Sequence, residues 1–134
     1  MNVEQIQAAV AWHYRTNLEL VKRIQAQGGS LEDVLEMDMH FESATQQDSE
    51  NLMVSLGALG VYNLRAGRNK SPLAERFAKI GKFFRPNALP VCAWGVDGQI
   101  ETSVNRMIDH NFLEQLVRLA ARYNSTFEGW GTPV

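Results

Sequence analysis

The sequence is poor in the residues that staple, punctuate or anchor a chain. Its 134 residues include one cysteine, Cys92, and four prolines. A single thiol excludes an internal disulfide, provides no zinc-ligand spacing, and fits a reducing compartment. Cys92 lies between Val91 and Ala93 and reads as a small buried hydrophobe, since a reactive thiol needs an exposed, electropositive setting. No apolar run approaches the roughly 20 residues of a membrane-spanning helix. The opening M-N-V-E-Q-I-Q lacks the basic start and apolar stretch of a secretory signal. A cytoplasmic location away from membranes is therefore expected. Gly57, Gly60 and Gly67 form neither a G-x-G-x-x-G loop nor a lysine-bearing phosphate loop, and the C-x-x-C and H-E-x-x-H spacings are absent. No cofactor and no metal are expected.

Positive charge is also missing from a long stretch. Between Gln25 and Leu64 there is no lysine or arginine, while Glu32, Asp33, Glu36, Asp38, Glu42, Asp48 and Glu50 all fall there. The sign then reverses: Arg65, Arg68, Lys70, Arg76, Lys79, Lys82 and Arg85 follow, against Glu75 alone. The formal net charge of -2 conceals this segregation. Separated charge of this kind steers charged partners, or simply solvates two surfaces. An apolar fraction of 45% is that of an ordinary folded protein, and the length suits one domain with one core.

What is present is organised around Leu35–Glu42, L-E-M-D-M-H-F-E. Leu35, Met37, Met39 and Phe41 alternate with Glu36, Asp38, His40 and Glu42, the period of a strand with one buried and one wet face. Before it, Val3, Ile6, Val10, Tyr14, Leu18, Val21 and Ile24 recur at helical spacing, and Gly28 and Gly29 end that helix. After it, Thr45 and Asp48 have capping-box spacing for a helix over Gln46–Leu59, with Leu52, Met53, Leu56 and Leu59 inward and Gly60 as its stop. Val61–Leu64 reads as a short strand, Ala66–Lys70 as a basic turn, and Ser71-Pro72 as the start of a helix reaching Phe84, or else of a hairpin arm. Pro90–Val96 is expected to be a central strand, with Asp97-Gly98 as a turn after it and a return strand or loop at Gln99–Thr102. A last helix starts at Asn105 or Asp109 and turns Ile108, Phe112, Leu113, Leu116, Val117, Ala120 and Tyr123 inward, before a final strand at Thr126–Trp130.

Set aside the leading helix over residues 1–29, and residues 30–132 run strand, helix, strand, inserted segment, strand, helix, strand. The predicted class is α+β: a single-domain, ferredoxin-like βαββαβ sandwich with an additional N-terminal helix, spanning residues 1–134. Two helices would cover one sheet face. The other would be free for the leading helix, a second copy of the chain, or a partner.

The C-terminal stretch N-x-M-I-D-x-x-x-L-E-Q-L-V-R-L-A-A-R-Y (Asn105–Tyr123), followed by F-E-G-W-G-T (Phe127–Thr132), resembles the bacterial regulator of ribonuclease activity B family. M-D-M-H-F-E-S-A-T (Met37–Thr45) and the Asn51–Gly60 helix resemble that family's first strand and helix. The resemblance extends from about residue 5 to residue 132. Phe127 and Glu128 stand where the family has Tyr and Asp, which preserves shape and charge. The resemblance implies a ferredoxin-like sandwich and a non-enzymatic regulator. It also implies a protein partner, ribonuclease E being that of the best-known member, whose RNA cleavage is dampened through a non-catalytic scaffold region.

The residues also carry chemical readings of their own, apart from that resemblance. Asp38, His40 and Glu42 share a strand face, but side chains two apart on a flat strand do not converge on a metal ion, and no nucleophile stands beside His40. Arg65–Arg85, with Phe77, Phe83 and Phe84 interspersed, has the ingredients of an RNA contact. The acidic strand opposes that, so direct RNA binding is not expected. Trp130, between Gly129 and Gly131, either fills a core gap beside the last helix or presents a ring to a partner, and the glycines would permit a bulge. The expected protein-binding residues are Glu36, Asp38, His40, Glu42, Trp94, Trp130, Arg65, Arg68 and Lys70. A homodimer is a further option, and the acidic strand face is expected to meet Arg15, Arg23 or the basic segment.

Overall fold

A computed structural model describes residues 2–68 and 94–132. Helix α1 (Val3–Ala26) opens on a capping box: the Asn2 side chain accepts the Gln5 backbone N–H at 2.8 Å, and the Gln5 side chain accepts that of Asn2 at 2.9 Å. Its buried stripe is Ile6, Val10, His13, Asn17, Val21 and Ile24. Strand β1 (Val34–Ser43) leads to α2 (Gln46–Leu59), where the Thr45 side chain accepts the Asp48 N–H at 3.1 Å. Next come β2 (Tyr62–Arg68) and β3 (Trp94–Ser103). A helical turn, α3 (Val104–Met107), precedes α4 (His110–Arg122), capped by Asp109, and β4 (Ser125–Gly131) closes the sequence of elements.

The strands form one sheet in the order β2-β3-β1-β4, and each neighbouring pair is antiparallel. This is the ferredoxin-like arrangement in general terms, with α1 and α3 additional to the simple βαββαβ order. Strand β1 is central, paired with β3 along its full length and with β4 along its second half. Its Met37, Met39 and Phe41 are buried in one apolar cluster with Leu52 and Leu56 of α2 and Leu113, Leu116 and Val117 of α4. Leu35 is partly buried against the same cluster. Removing each such side chain from water contributes roughly 1.5–3 kcal/mol.

The leading helix joins this same side of the sheet. The His13 ring lies 4.7 Å from that of Phe127, and Phe127 lies 5.1 Å from Phe41. Asn17 Nδ2 donates to the Met107 carbonyl at 3.3 Å. Helices α1, α2 and α4 therefore share one layer, and α1 does not cover the acidic face.

Several local expectations are corrected. Asp97-Gly98 is not a turn. Both residues lie within β3, which runs unbroken from Trp94 to Ser103 and takes in the proposed return strand. Gly98 is there because of close approach. A Cβ on it would stand 2.5 Å from Val61 Cγ1 and 2.7 Å from Leu64 Cδ2. Strand β2 extends to Arg68, so Ala66–Arg68 is strand rather than turn; pairing with β3 outweighs the turn propensity of Gly67. The last helix is split by Ile108 and Asp109, which separate α3 from α4. The expectations for Lys70, Ser71–Phe84, the first residues of the Pro90–Val96 strand and Cys92 lie outside the described residues, as does any meeting of the acidic face with the basic segment beyond Arg68.

The bulge anticipated at Trp130 is present. Register shifts between His40 and Phe41, so that Phe41 faces Phe127, His40 faces Gly129 and Met39 faces Trp130. Phe127 and Trp130 are three residues apart, and strict alternation would send them to opposite faces. The extra residue lets both enter the core, where they are 3% and 7% exposed. Gly129 takes φ +136°, a conformation that L side chains rarely adopt.

Gly98→Ala is expected to lower stability by about 1–3 kcal/mol, because the new methyl overpacks against Val61 and Leu64. Gly67→Ala, whose Cβ would meet nothing within 4 Å, is expected to stay within about 0.5 kcal/mol. Urea denaturation of the two variants beside the parent protein checks both.

Candidate functional site

The alternation that buries Met37, Met39 and Phe41 sends Glu36, Asp38, His40 and Glu42 to the opposite face, which no helix among the described residues covers. Register fixes their neighbours. Glu36 stands opposite Glu101, Asp38 opposite Gln99, and His40 opposite Asp97 on β3. Beyond β3, Tyr62 faces Gln99 and Arg65 faces Asp97. Glu36, His40, Asp97, Glu101, Tyr62 and Arg65 are exposed, while Asp38, Glu42 and Gln99 are half-buried.

Hydrogen bonds tie this surface together. Gln99 Nε2 donates to Glu36 Oε1 at 2.9 Å and to Asp38 Oδ1 at 3.1 Å. Tyr62 Oη donates to Glu36 Oε2 at 2.7 Å, and Asn63 Nδ2 to Gln99 Oε1 at 2.7 Å. The bond to the Glu36 carboxylate favours the protonated phenol, and with partial desolvation and the nearby charge it pushes the Tyr62 pKa up to about 12. At the other end, His40 Nδ1 is hydrogen-bonded to Asp97 Oδ1. That bond, with the charges of Asp97, Asp38 and Glu128, raises the His40 pKa above its ordinary 6.5 despite an opposing effect of burial. Glu128 sits in the bulge and accepts from Thr126 Oγ1 at 2.6 Å.

The result is a field of carboxylates. Among the described strand residues of this face, Arg65 carries the fixed positive charge and His40 a titratable one. Among the described residues, no group of three His, Cys, Asp or Glu is placed to hold a metal ion. Chemically, the arrangement holds negative charge at fixed positions on a rigid sheet.

Five of the sequence-predicted contact residues are brought together here: Glu36, Asp38, His40, Glu42 and Arg65. Trp130 is on the other side, buried in the core, and its Nε1 has no hydrogen-bond partner among the described residues. Trp94, at the start of β3, faces Ser43 and Arg68 in register, which puts Trp94 and Arg68 on the helix-bearing side near one end of the sheet. Lys70 lies outside the described residues. Arg15 and Arg23 are exposed on α1, across the sheet from the carboxylates they were expected to meet. Reasoning from sequence missed Tyr62, Asp97, Gln99, Glu101 and Glu128. The signal for β3 was present, since Val96, Gly98, Ile100 and Thr102 alternate with Asp97, Gln99 and Glu101, but the turn propensity of Asp-Gly masked it.

The family model described as "Regulator of ribonuclease activity B" matches residues 15–132, a span that includes every described strand. No curated protein matches the chain. No helix among the described residues is long and apolar enough to cross a membrane.

The sign of the His40 shift sets a pH dependence. A folded-state pKa raised above the unfolded value gives a contribution to stability that is complete below about pH 6.5. It is lost as pH rises through the folded value. His40→Gln is therefore expected to destabilise most in mildly acid buffer and least in alkaline buffer. In an NMR titration, His40 should have its midpoint above 6.5, and Asp97→Asn should bring that midpoint down.

Proposed function

The chain belongs to the regulator of ribonuclease activity B family, and on that premise we propose that it binds an endoribonuclease, such as ribonuclease E, and thereby slows RNA cleavage. It is a non-enzymatic regulatory protein that acts through a protein partner. The family match over residues 15–132 carries this conclusion. The helix-free sheet face supports it by offering a surface with fixed charge and no covering element among the described residues.

In this proposal the contact residues are Glu36, Asp38, His40, Glu42 and Arg65. Arg68 and Trp94 form a second, smaller contact near one end of the sheet, and Lys70, outside the described residues, is kept as a proposed contact residue. Trp130 contributes from within, by holding β4 against the core. In this reading the chain acts as one ferredoxin-like domain, which is supported among the described residues by Ile6, Val10, Val21 and Ile24 of the leading helix sharing a core with the sheet. A cytoplasmic site of action follows from the proposed partner. Direct RNA binding through this face is disfavoured, since its carboxylates repel phosphates. A homodimer that brings two such faces together is disfavoured for the same reason.

Affinity capture from a bacterial lysate with the tagged protein is expected to recover an endoribonuclease, and adding the purified protein to that nuclease should slow cleavage of an RNA substrate. Capture of no nuclease, together with an unchanged cleavage rate, would rule the proposal out.

A further inference from the structure

We propose that His40 is a pH-sensitive latch on the bulged end of β4. Protonated, it holds Gly129–Gly131 and the buried Trp130 against β1; on losing its proton it lets that end open. The device goes beyond the function proposed above and does not depend on it.

The end of β4 has the features of a segment that opens readily. Strand β4 lies at the sheet edge, and its hydrogen-bonded neighbour among the described residues is β1. A strand with ladder bonds on one side opens at less cost than a central one. The register breaks between His40 and Phe41, so Gly129–Gly131 pairs beyond a bulge, apart from the regular pairing at Ser125–Phe127. Gly129 and Gly131 bring no side chain to pack, and a Cβ on either would meet nothing within 4 Å. Trp130 alone in this segment reaches the core, and its seat is imperfect. Its Nε1 exposes less than 1 Å² and has no hydrogen-bond partner among the described residues. A buried donor left unmet offsets part of what the indole gains by burial.

His40 stands at the break. It pairs with Gly129 on one side and with Asp97 on the other. Its Nδ1 is hydrogen-bonded to Asp97 Oδ1 at 2.5 Å, which ties the ring to β3. Glu128, the residue inserted by the bulge, adds a negative charge from β4 that acts on the same ring. A protonated ring therefore attracts β3 and β4 together, across β1. A neutral ring can keep the bond to Asp97 as an Nδ1–H donor, but it loses the attraction to Glu128. The other described charges on this face near it are Asp38 and Glu42, two residues away along β1, and Arg65 of β2, opposite Asp97. The Asp97 bond, then the charges of Asp97, Asp38 and Glu128, move the midpoint of His40 above 6.5. The latch is thus closed below that midpoint and released as pH rises through it. With 54% of its side chain exposed, His40 exerts an attraction that water and salt screen, so the effect is modest.

Hydrogen exchange of the full chain, followed by NMR between about pH 5.5 and 8.5, tests the latch. The probe is the Trp130 indole N–H, which is reached by water only when the segment opens. Rates are divided by the intrinsic rate at each pH, and the Leu52 and Leu56 amides, fully buried in α2, are the references. Protection of the indole is expected to fall about two- to fivefold as pH rises through the His40 midpoint, while the references hold steady. His40→Gln should give the low protection of the open form at every pH. Glu128→Gln should remove most of the fall while leaving the bond between His40 and Asp97 intact. Reference amides as protected as in the parent show that each variant is folded. Constant indole protection through the midpoint overturns the proposal, as does an equal fall at Leu52 and Leu56, or a fall that persists in both variants.

Discussion

The structure depends on one-sided packing of the central strand. Strand β1 has hydrogen-bonded neighbours on both sides, so its backbone is largely satisfied within the sheet and its two faces are free to differ. The Met37, Met39 and Phe41 side chains lie in the one apolar cluster to which α1, α2 and α4 all contribute. A one-residue slip of β1 would exchange the faces, placing carboxylates in the core and methionines in water. Burying unpaired carboxylates costs far more than any register-specific backbone term, so this pattern strongly specifies the register.

The bulge in β4 shows how the same constraint acts on a neighbour. Phe127 and Trp130 both contribute to the core, yet their spacing is wrong for a regular strand. The sheet accommodates them by inserting one residue opposite the His40–Phe41 step, with Gly129 taking the unusual backbone angle. The insertion leaves Glu128 close enough to His40 to add to the field that raises its pKa. One packing requirement on the helix side thus changes the electrostatics on the other.

Elements were legible in the sequence where periodicity and punctuation agreed. The Leu35–Glu42 alternation, the Thr45 cap and the Gly60 stop placed β1 and α2 within a residue or so of their observed limits. They were illegible where local propensity competed with pairing. Asp97-Gly98 has the composition of a turn, but Gly98 is small because Val61 and Leu64 press on it, a reason that exists only once β2 lies alongside β3. The same error hid half of the candidate site. With β3 cut at Asp97, its Asp97, Gln99 and Glu101 had no reason to share a face with Glu36, Asp38 and His40. Which residues cover a sheet face is likewise a tertiary property. The amphipathic stripe of α1 predicted that it would pack, but not on which side.

The face that no described helix covers carries a cost that packing among the described residues does not explain. Glu36 and Glu101 stand directly opposite each other, and like charges in that position destabilise a sheet by roughly 0.2–1 kcal/mol. A surface selected for stability alone would put a lysine at one of them. Here the repulsion is only partly offset, by hydrogen bonds from Tyr62 and Gln99 and by a His40 whose pKa the surrounding carboxylates raise. Departures from the locally most stable choice concentrate where a protein meets something else. The mismatch at Glu36 and Glu101 is therefore the feature of this face that packing among the described residues does not account for.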